Sequence, residues 1–228
     1  SASGSDRDPW RSSDRPTNTL KGIPAARIVR ALADLQGTWR IRELAQYAQT
    51  SLGSTSRTVD FLDREALVVR DDSGAIVEVD WESLVRRWAA DYALLRSSQI
   101  ARCIAPRPED ALAGVRDLGE PYVITGSLAA RRWTPTAEAT VAVVLVEEPE
   151  DTAEVLGLRR AAGTANVLLI RPFDNVVYER ATTEDGLRYA APAQTLVDLM
   201  TGPGRNPSEA EILLDWMRRD ERRWRPSR

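Results

Sequence analysis

A chain of 228 residues, 43% of them apolar, is long enough for a real core and for two compact domains of roughly 75 to 130 residues each. Its 34 acidic and 31 basic side chains leave a net charge of -3, so any affinity for nucleic acid must come from a local patch rather than from the whole molecule. The chain has no histidine and a single lysine, Lys21, which excludes a Ser-His-Asp or Cys-His nucleophile, a histidine-ligated zinc site and a Walker-type phosphate loop.

Residues 1–22 are rich in Ser, Asp, Arg and Pro and read as a disordered arm. From Pro24 the pattern is helical: Ile28, Leu32 and Leu35 share a face, Pro24 suits the first turn and Gly37 ends the helix. Ile41, Leu44, Ala45 and Ala48 follow at helical spacing as a second, shorter amphipathic helix. After Thr50 to Gly53, a third helix buries Thr55, Val59, Leu62 and Ala66 and turns Ser54, Ser56, Arg57 and Asp60 outward. Two short extended runs, Leu67 to Arg70 and Ala75 to Val79, are joined by Asp71-Asp72-Ser73-Gly74, a hairpin signal. Three helices and a ribbon in that order predict a winged helix-turn-helix. Asp80 then caps a fourth helix whose apolar face runs from Trp81 through Leu84, Val85, Trp88 and Tyr92 to Leu95, about four turns.

The second half, 97–228, mixes helices and strands. A helix is expected within Pro108 to Leu118, then a strand at Tyr122 to Ile124, a turn Thr125-Gly126-Ser127 and a short helix from Leu128. Strands follow at Thr140 to Val146, Asn166 to Ile170, Asn175 to Glu179 and Leu187 to Ala190, then helices at Pro192 to Met200 and Ser208 to Met217. The fold class is therefore α+β: a winged helix-turn-helix domain with its connecting helix at 23–96, and a mixed α/β domain at 97–228. No apolar run approaches the roughly 18 residues of a membrane span, the opening SASGSDRDPWRSSDRP lacks a signal-peptide core, and the lone Cys103 fits a reducing compartment; the expected location is the cytoplasm.

A helix that reads DNA carries short donors and an arginine at its N-terminal end, where they reach base edges and phosphates. Ser54, Ser56 and Arg57 fit that role, with Arg40 and Arg42 placed to touch the flanking backbone. Residues 21–58 hold 6 basic and 2 acidic side chains, and residues 59–80 hold 2 and 7, which polarises the domain and makes the acidic tip Asp71-Asp72 a poor groove binder. The alternative is that this unit is a protein-interaction module.

The stretch Thr38 to Trp88, with YVITGSLAARRW, ANVLLIRPFDNVVYERA and APAQTLVDLMTGPGR further on, resembles the AbiEi-type family of winged-helix antitoxins and transcriptional regulators of type IV toxin-antitoxin systems, its actinobacterial members in particular. The resemblance covers about 190 residues in the right order. It implies a DNA-binding N-terminal domain that represses its own operon, with Gly53 to Glu65 as the reading helix. It further implies a C-terminal domain that counters a nucleotidyltransferase-like toxin, not necessarily by direct contact. A stand-alone regulator fits the same residues.

A rival reading is enzymatic. A strand that ends in Gly-Ser and opens a helix is how nucleotidyltransferases cradle a triphosphate, but such enzymes also need two carboxylates two residues apart on the next strand to grip metal ions. Here Glu138-Ala139-Thr140-Val141 offers one, Glu147 and Glu148 are adjacent, and Glu179 is a lone third. The expectation is a degenerate, inactive nucleotidyltransferase-like domain, with no catalytic residue, metal or cofactor; in the bland reading Gly126 supplies a positive φ and Ser127 caps the helix. Trp133, Trp216 and Trp224 read as packed rather than base-stacking. The tail MRRDERRWRPSR reads as a solvated helix end rather than a basic arm, and Gly202-Pro203-Gly204-Arg205 as an interhelical turn.

Overall fold

The structure, a computed structural model, describes residues 18–96, 99–134, 138–202 and 206–228. Most of the arm and most of the turn Gly202-Pro203-Gly204-Arg205 lie outside the described residues. Inside the stretch read as arm, however, Leu20 is buried and its backbone N–H donates to Asp91 at 2.7 Å.

The first elements are α1 (Ile23–Asp34), α2 (Ile41–Tyr47), α3 (Leu52–Arg64), β1 (Val68–Arg70), β2 (Ile76–Val79) and α4 (Trp81–Ala89). β1 and β2 pair antiparallel, and Trp39 adds a bridge to Ile76 through two backbone hydrogen bonds of 2.9 Å, so the ribbon is fastened to the α1–α2 connection. Two boundaries differ from the sequence reading. Ala66 is exposed with φ of 55°, past the end of α3, and the buried stripe is completed by Thr58 and Phe61 instead. The fourth helix stops at Ala89, and Leu94 to Arg96 form a separate 3-10 turn.

The second half builds a seven-stranded mixed sheet in the order β6-β3-β7-β5-β4-β9-β8. Its members are β3 (Ile100–Ile104), β4 (Tyr122–Thr125), β5 (Ala142–Val146), β6 (Arg159–Arg160), β7 (Val167–Ile170), β8 (Thr182–Glu184) and β9 (Leu187–Tyr189). The helices of this half are α5 (Leu112–Val115), α6 (Ser127–Ala130), α7 (Pro149–Val155), α8 (Pro192–Thr201), α9 (Asn206–Arg219) and α10 (Glu221–Trp224). The central strands are buried on both faces, and alternation divides their side chains: Ile124, Val144 and Leu169 enter one core, Val123, Val143 and Leu168 another. The run Asn175 to Glu179, expected as a strand, instead holds a 3-10 turn at Asn175–Tyr178, because the Asp174 carboxylate accepts from the Val176 N–H at 3.0 Å and curls the chain.

A third core joins the two halves. It holds residues of α1, α3 and α4 together with Leu196 and Leu199 of α8, Leu213, Leu214 and Met217 of α9, and Trp224. α8 is its spine, and even its polar Gln194, Thr195 and Asp198 are buried. Asp198 accepts from Tyr92 Oη (2.6 Å), Thr125 Oγ1 (2.6 Å) and Gln194 Nε2 (3.0 Å), joining the segment after α4, the end of β4 and α8 in one polar cluster. Among the described residues no helix is long and apolar enough to cross a membrane.

Candidate nucleic-acid interface

The α2–α3 junction is shaped by local hydrogen bonds. Gln49 takes a left-handed φ of 50°, and Thr50 N–H returns to the Ala45 carbonyl at 2.9 Å. Ser51 caps α3 by accepting from Ser54 N–H at 3.1 Å, while its hydroxyl donates to Ser54 Oγ at 2.9 Å. Thr55 points inward, hydrogen-bonded to Thr50 Oγ1 at 2.7 Å, and Val59 and Leu62 complete the buried side. The helix is thereby held so that Leu52 and Gly53 are exposed at its start and Ser54 and Ser56 are half-exposed. Removing the cap with Ser51→Ala should lower unfolding free energy by about 1 kcal/mol in a urea titration.

Arg57 is exposed and lies back across the first turn, its Nη2 at 3.4 Å from Ser54 Oγ. A side-chain carbon on residue 53 would sit 3.4 Å from Arg57 Nη1, an ordinary contact, so the guanidinium lies against the start of the helix beside Gly53. Arg40, at the N-cap of α2, and Arg42 in its first turn are also exposed. Among the described residues none of Arg40, Arg42 and Arg57 has an acidic partner within salt-bridge distance.

Neighbouring acids are already engaged. Arg228 pairs with Glu43 at 2.8 Å and holds that carboxyl below the ordinary range. Arg70 of the ribbon pairs with Asp60 on the third turn of α3 at 2.9 Å. Asp71 accepts from the Ser73 hydroxyl and from the Ser73 and Ala75 N–H groups; these bonds, the hydroxyl's first, lower its pKa and organise the ribbon tip as an anionic turn.

The positive balance of residues 21–58 is only partly surface charge. Arg30 is buried against Asp34, and Arg27 makes a two-point pair with Asp174 at 2.8 Å; both arginines face the second half of the molecule. The basic tail also differs from its reading as a solvated end. Arg225 is buried and donates to the carbonyls of Leu32 and Ala33, the Gln36 backbone bonds to Pro226 and Arg228, and Arg228 sits 4.3 Å from the centre of the Trp39 ring. No local spacing announces Arg228, about 190 residues away from the helix whose acid it neutralises.

The turn Thr125-Gly126-Ser127 is buried, and every residue from Tyr122 to Ala130 is covered. Gly126 does take a positive φ, 67°, but it occupies the N-cap position itself and Ser127 is the first helical residue, so the cap expected of Ser127 is absent. Glu138 is exposed, Glu147 accepts from Tyr178 Oη at 3.3 Å, and Glu179 offers its carbonyl to Arg30. Among the described residues no three of Asp, Glu, Cys or His converge as a metal site. Trp133 and Trp216 stack on each other at 5.6 Å, and Trp224 packs edge-on to Trp81 at 4.9 Å.

No protein-family model matches this chain, and neither a curated protein nor a solved structure matches it. The functional reading therefore rests on residues and geometry.

Proposed function

We propose that the chain is a sequence-specific double-stranded DNA-binding regulator of winged helix-turn-helix type, with α3 as the helix that enters the major groove. The observation that carries this reading is the exposed start of α3, where Arg57 and two serines project from a buried hydrophobic backing with no acid in salt-bridge range. Arg57 makes the main base contact, Ser54 and Ser56 support it, and Arg40 and Arg42 hold phosphates. The ribbon, tipped by Asp71 and Asp72, stays out of the groove and braces α3 through Arg70 and Asp60. The AbiEi-type resemblance adds self-repression of an operon that includes a nucleotidyltransferase-like toxin.

Titrating the chain against its own upstream DNA by fluorescence anisotropy tests the reading. Two phosphate-facing arginines, Arg40 and Arg42, predict log affinity falling with log salt at a slope of about -2 per bound chain. Arg40→Ala and Arg42→Ala should weaken binding equally on all sequences and each reduce that slope by about one. Arg57→Ala should cost about 1 to 3 kcal/mol on the specific site and far less on random DNA. Binding that is absent, or insensitive to salt, would remove the proposal.

A further inference from the structure

A cavity of about 310 Å3 opens where the start of α1, the end of α4 and strands β5 and β7 meet. It is separate from the exposed face of α3. Its size falls at the lower end of small-molecule sites, which run from about 300 to 1,000 Å3 and combine apolar walls with a few convergent polar groups. One side is an aromatic ladder: Trp88 and Tyr92 lie 5.0 Å apart, and Tyr92 and Phe173 meet edge-on at 5.5 Å, with Phe173 40% exposed. Leu145 and Ile170 form the sheet-side wall.

The charged lining is one-sided. Lys21 and Arg96 are exposed beside the cavity, and Arg171, which also lines it, is bonded to Gln99 at 2.7 Å and lies 3.6 Å from Glu148. The lining acid, Asp91, is already taken by the Leu20 N–H at 2.7 Å and Arg87 at 2.9 Å. α1 begins at this wall behind Gly22, with no side-chain cap and no acid in its first turn, which adds positive potential to that of the cations. Aromatic walls favour a ring, and the cations favour an anion.

We propose that this cavity binds a small organic anion with an aromatic body, an arylalkanoic carboxylate, its ring against Phe173 and Tyr92 and its carboxylate between Lys21 and Arg96. A bound ligand bridges α1, α4 and the sheet, and so stabilises the assembled protein by mass action.

The chain's only lysine lines this cavity, which supplies a direct readout. The full chain is acetylated with limiting N-hydroxysuccinimidyl acetate, alone or with phenylacetate, phenylpyruvate or indole-3-acetate, and with the neutral analogues phenylacetamide and indole. Peptide mass spectrometry follows Lys21, with the α-amino group as the internal control. At least one acid should slow Lys21 acetylation severalfold and saturably while leaving the α-amine rate unchanged, and the neutral analogues should need at least about five times the concentration for the same effect. Arg96→Gln, at an exposed side chain, should abolish protection without moving the urea midpoint, and Phe173→Ala should abolish it with at most a small fall in the midpoint from the lost edge-on contact to Tyr92. The proposal is overturned if no acid protects Lys21, if acids and neutral analogues protect equally, or if protection survives both substitutions. None of these results bears on DNA binding by α3.

Discussion

Arg30→Ala is expected to destabilise the protein by about 3 to 5 kcal/mol, because it leaves a buried carboxylate without its cation. All five N–H donors of the Arg30 guanidinium are used. Two go to Asp34 Oδ2 at 2.8 and 3.0 Å, one to Gln194 Oε1 at 2.8 Å, and one each to the carbonyls of Val176 and Glu179 at 3.0 Å. Arg30 and Asp34 are 1% and 3% exposed, so water cannot replace the lost partner. One side chain of α1 therefore closes the helical first half onto both α8 and the 3-10 turn at Asn175–Tyr178. Urea unfolding of Arg30→Ala, Asp34→Ala and the double variant measures this. The double variant should lose clearly less than the sum of the two, since the stranded charge is then gone. Arg30→Lys should also be costly, because three donors on a flexible stem cannot make five bonds to four separate acceptors.

The Asp198 cluster predicts an effect with a definite pH window. Burial raises the pKa of Asp198 to about 6, against the opposing influence of its hydrogen bonds from Thr125, Tyr92 and Gln194. The folded protein therefore holds a proton that the unfolded chain, titrating near 4, has released. The favourable contribution of Asp198 is complete below about pH 4 and is lost as pH rises through about 6, a change of roughly 3 kcal/mol. Asp174, Asp91 and Glu82, whose pKa values are lowered, act in the opposite sense and at lower pH, where stability falls as they protonate. Asp198→Asn preserves an acceptor for Tyr92 and Gln194, and its amide can donate to the Thr125 hydroxyl. The stability of wild type relative to Asp198→Asn should accordingly fall by roughly 2 kcal/mol between pH 4 and pH 7. Asp198→Ala, which leaves buried donors unmatched, should lose about 2 to 4 kcal/mol at neutral pH. Thermal and urea unfolding across that range provide the comparison.

The helical faces were legible because their residues are local. Ile28 and Leu32, Leu44 and Ala45, and Thr55, Val59 and Leu62 repeat at the helical period and are buried. The outward set Ser54, Ser56 and Arg57 follows from the same period. β3 is not legible because Ile100-Ala101-Arg102-Cys103-Ile104 has an arginine at its centre and places only the small Ala101 and Cys103 on its buried face. β6 is only two residues long and pairs with the distant β3, whereas β8 pairs with the adjacent β9 across the turn Asp185-Gly186, a local hairpin whose three exposed residues give no apolar signal of their own. Asn175 to Tyr178 misled because Val-Val-Tyr favours strands, while a capping aspartate and Arg30's bonds to two carbonyls decided otherwise.

The candidate interface shows the same division. Exposure at Arg40, Arg42 and Arg57 follows from helix periodicity and position. Their electrostatic setting does not, because it depends on Arg228 covering Glu43 and on Arg70 holding Asp60. The burial of the Thr125-Gly126-Ser127 turn was likewise invisible, since a strand-to-helix turn has the same sequence whether its mouth is open or covered by packing.

The claim that α3 reads the major groove through Arg57 is tested most directly by methylation interference on the bound upstream site. Guanine N7 lies in the major groove and is half of the bidentate acceptor that an arginine recognises, whereas adenine N3 lies in the minor groove. Methylation of one or two guanines at N7 should block binding by the wild-type chain, methylation at adenine N3 should not, and Arg57→Ala should lose the guanine dependence while keeping weak binding. Interference confined to adenine N3, or an unchanged guanine pattern in Arg57→Ala, would contradict the account.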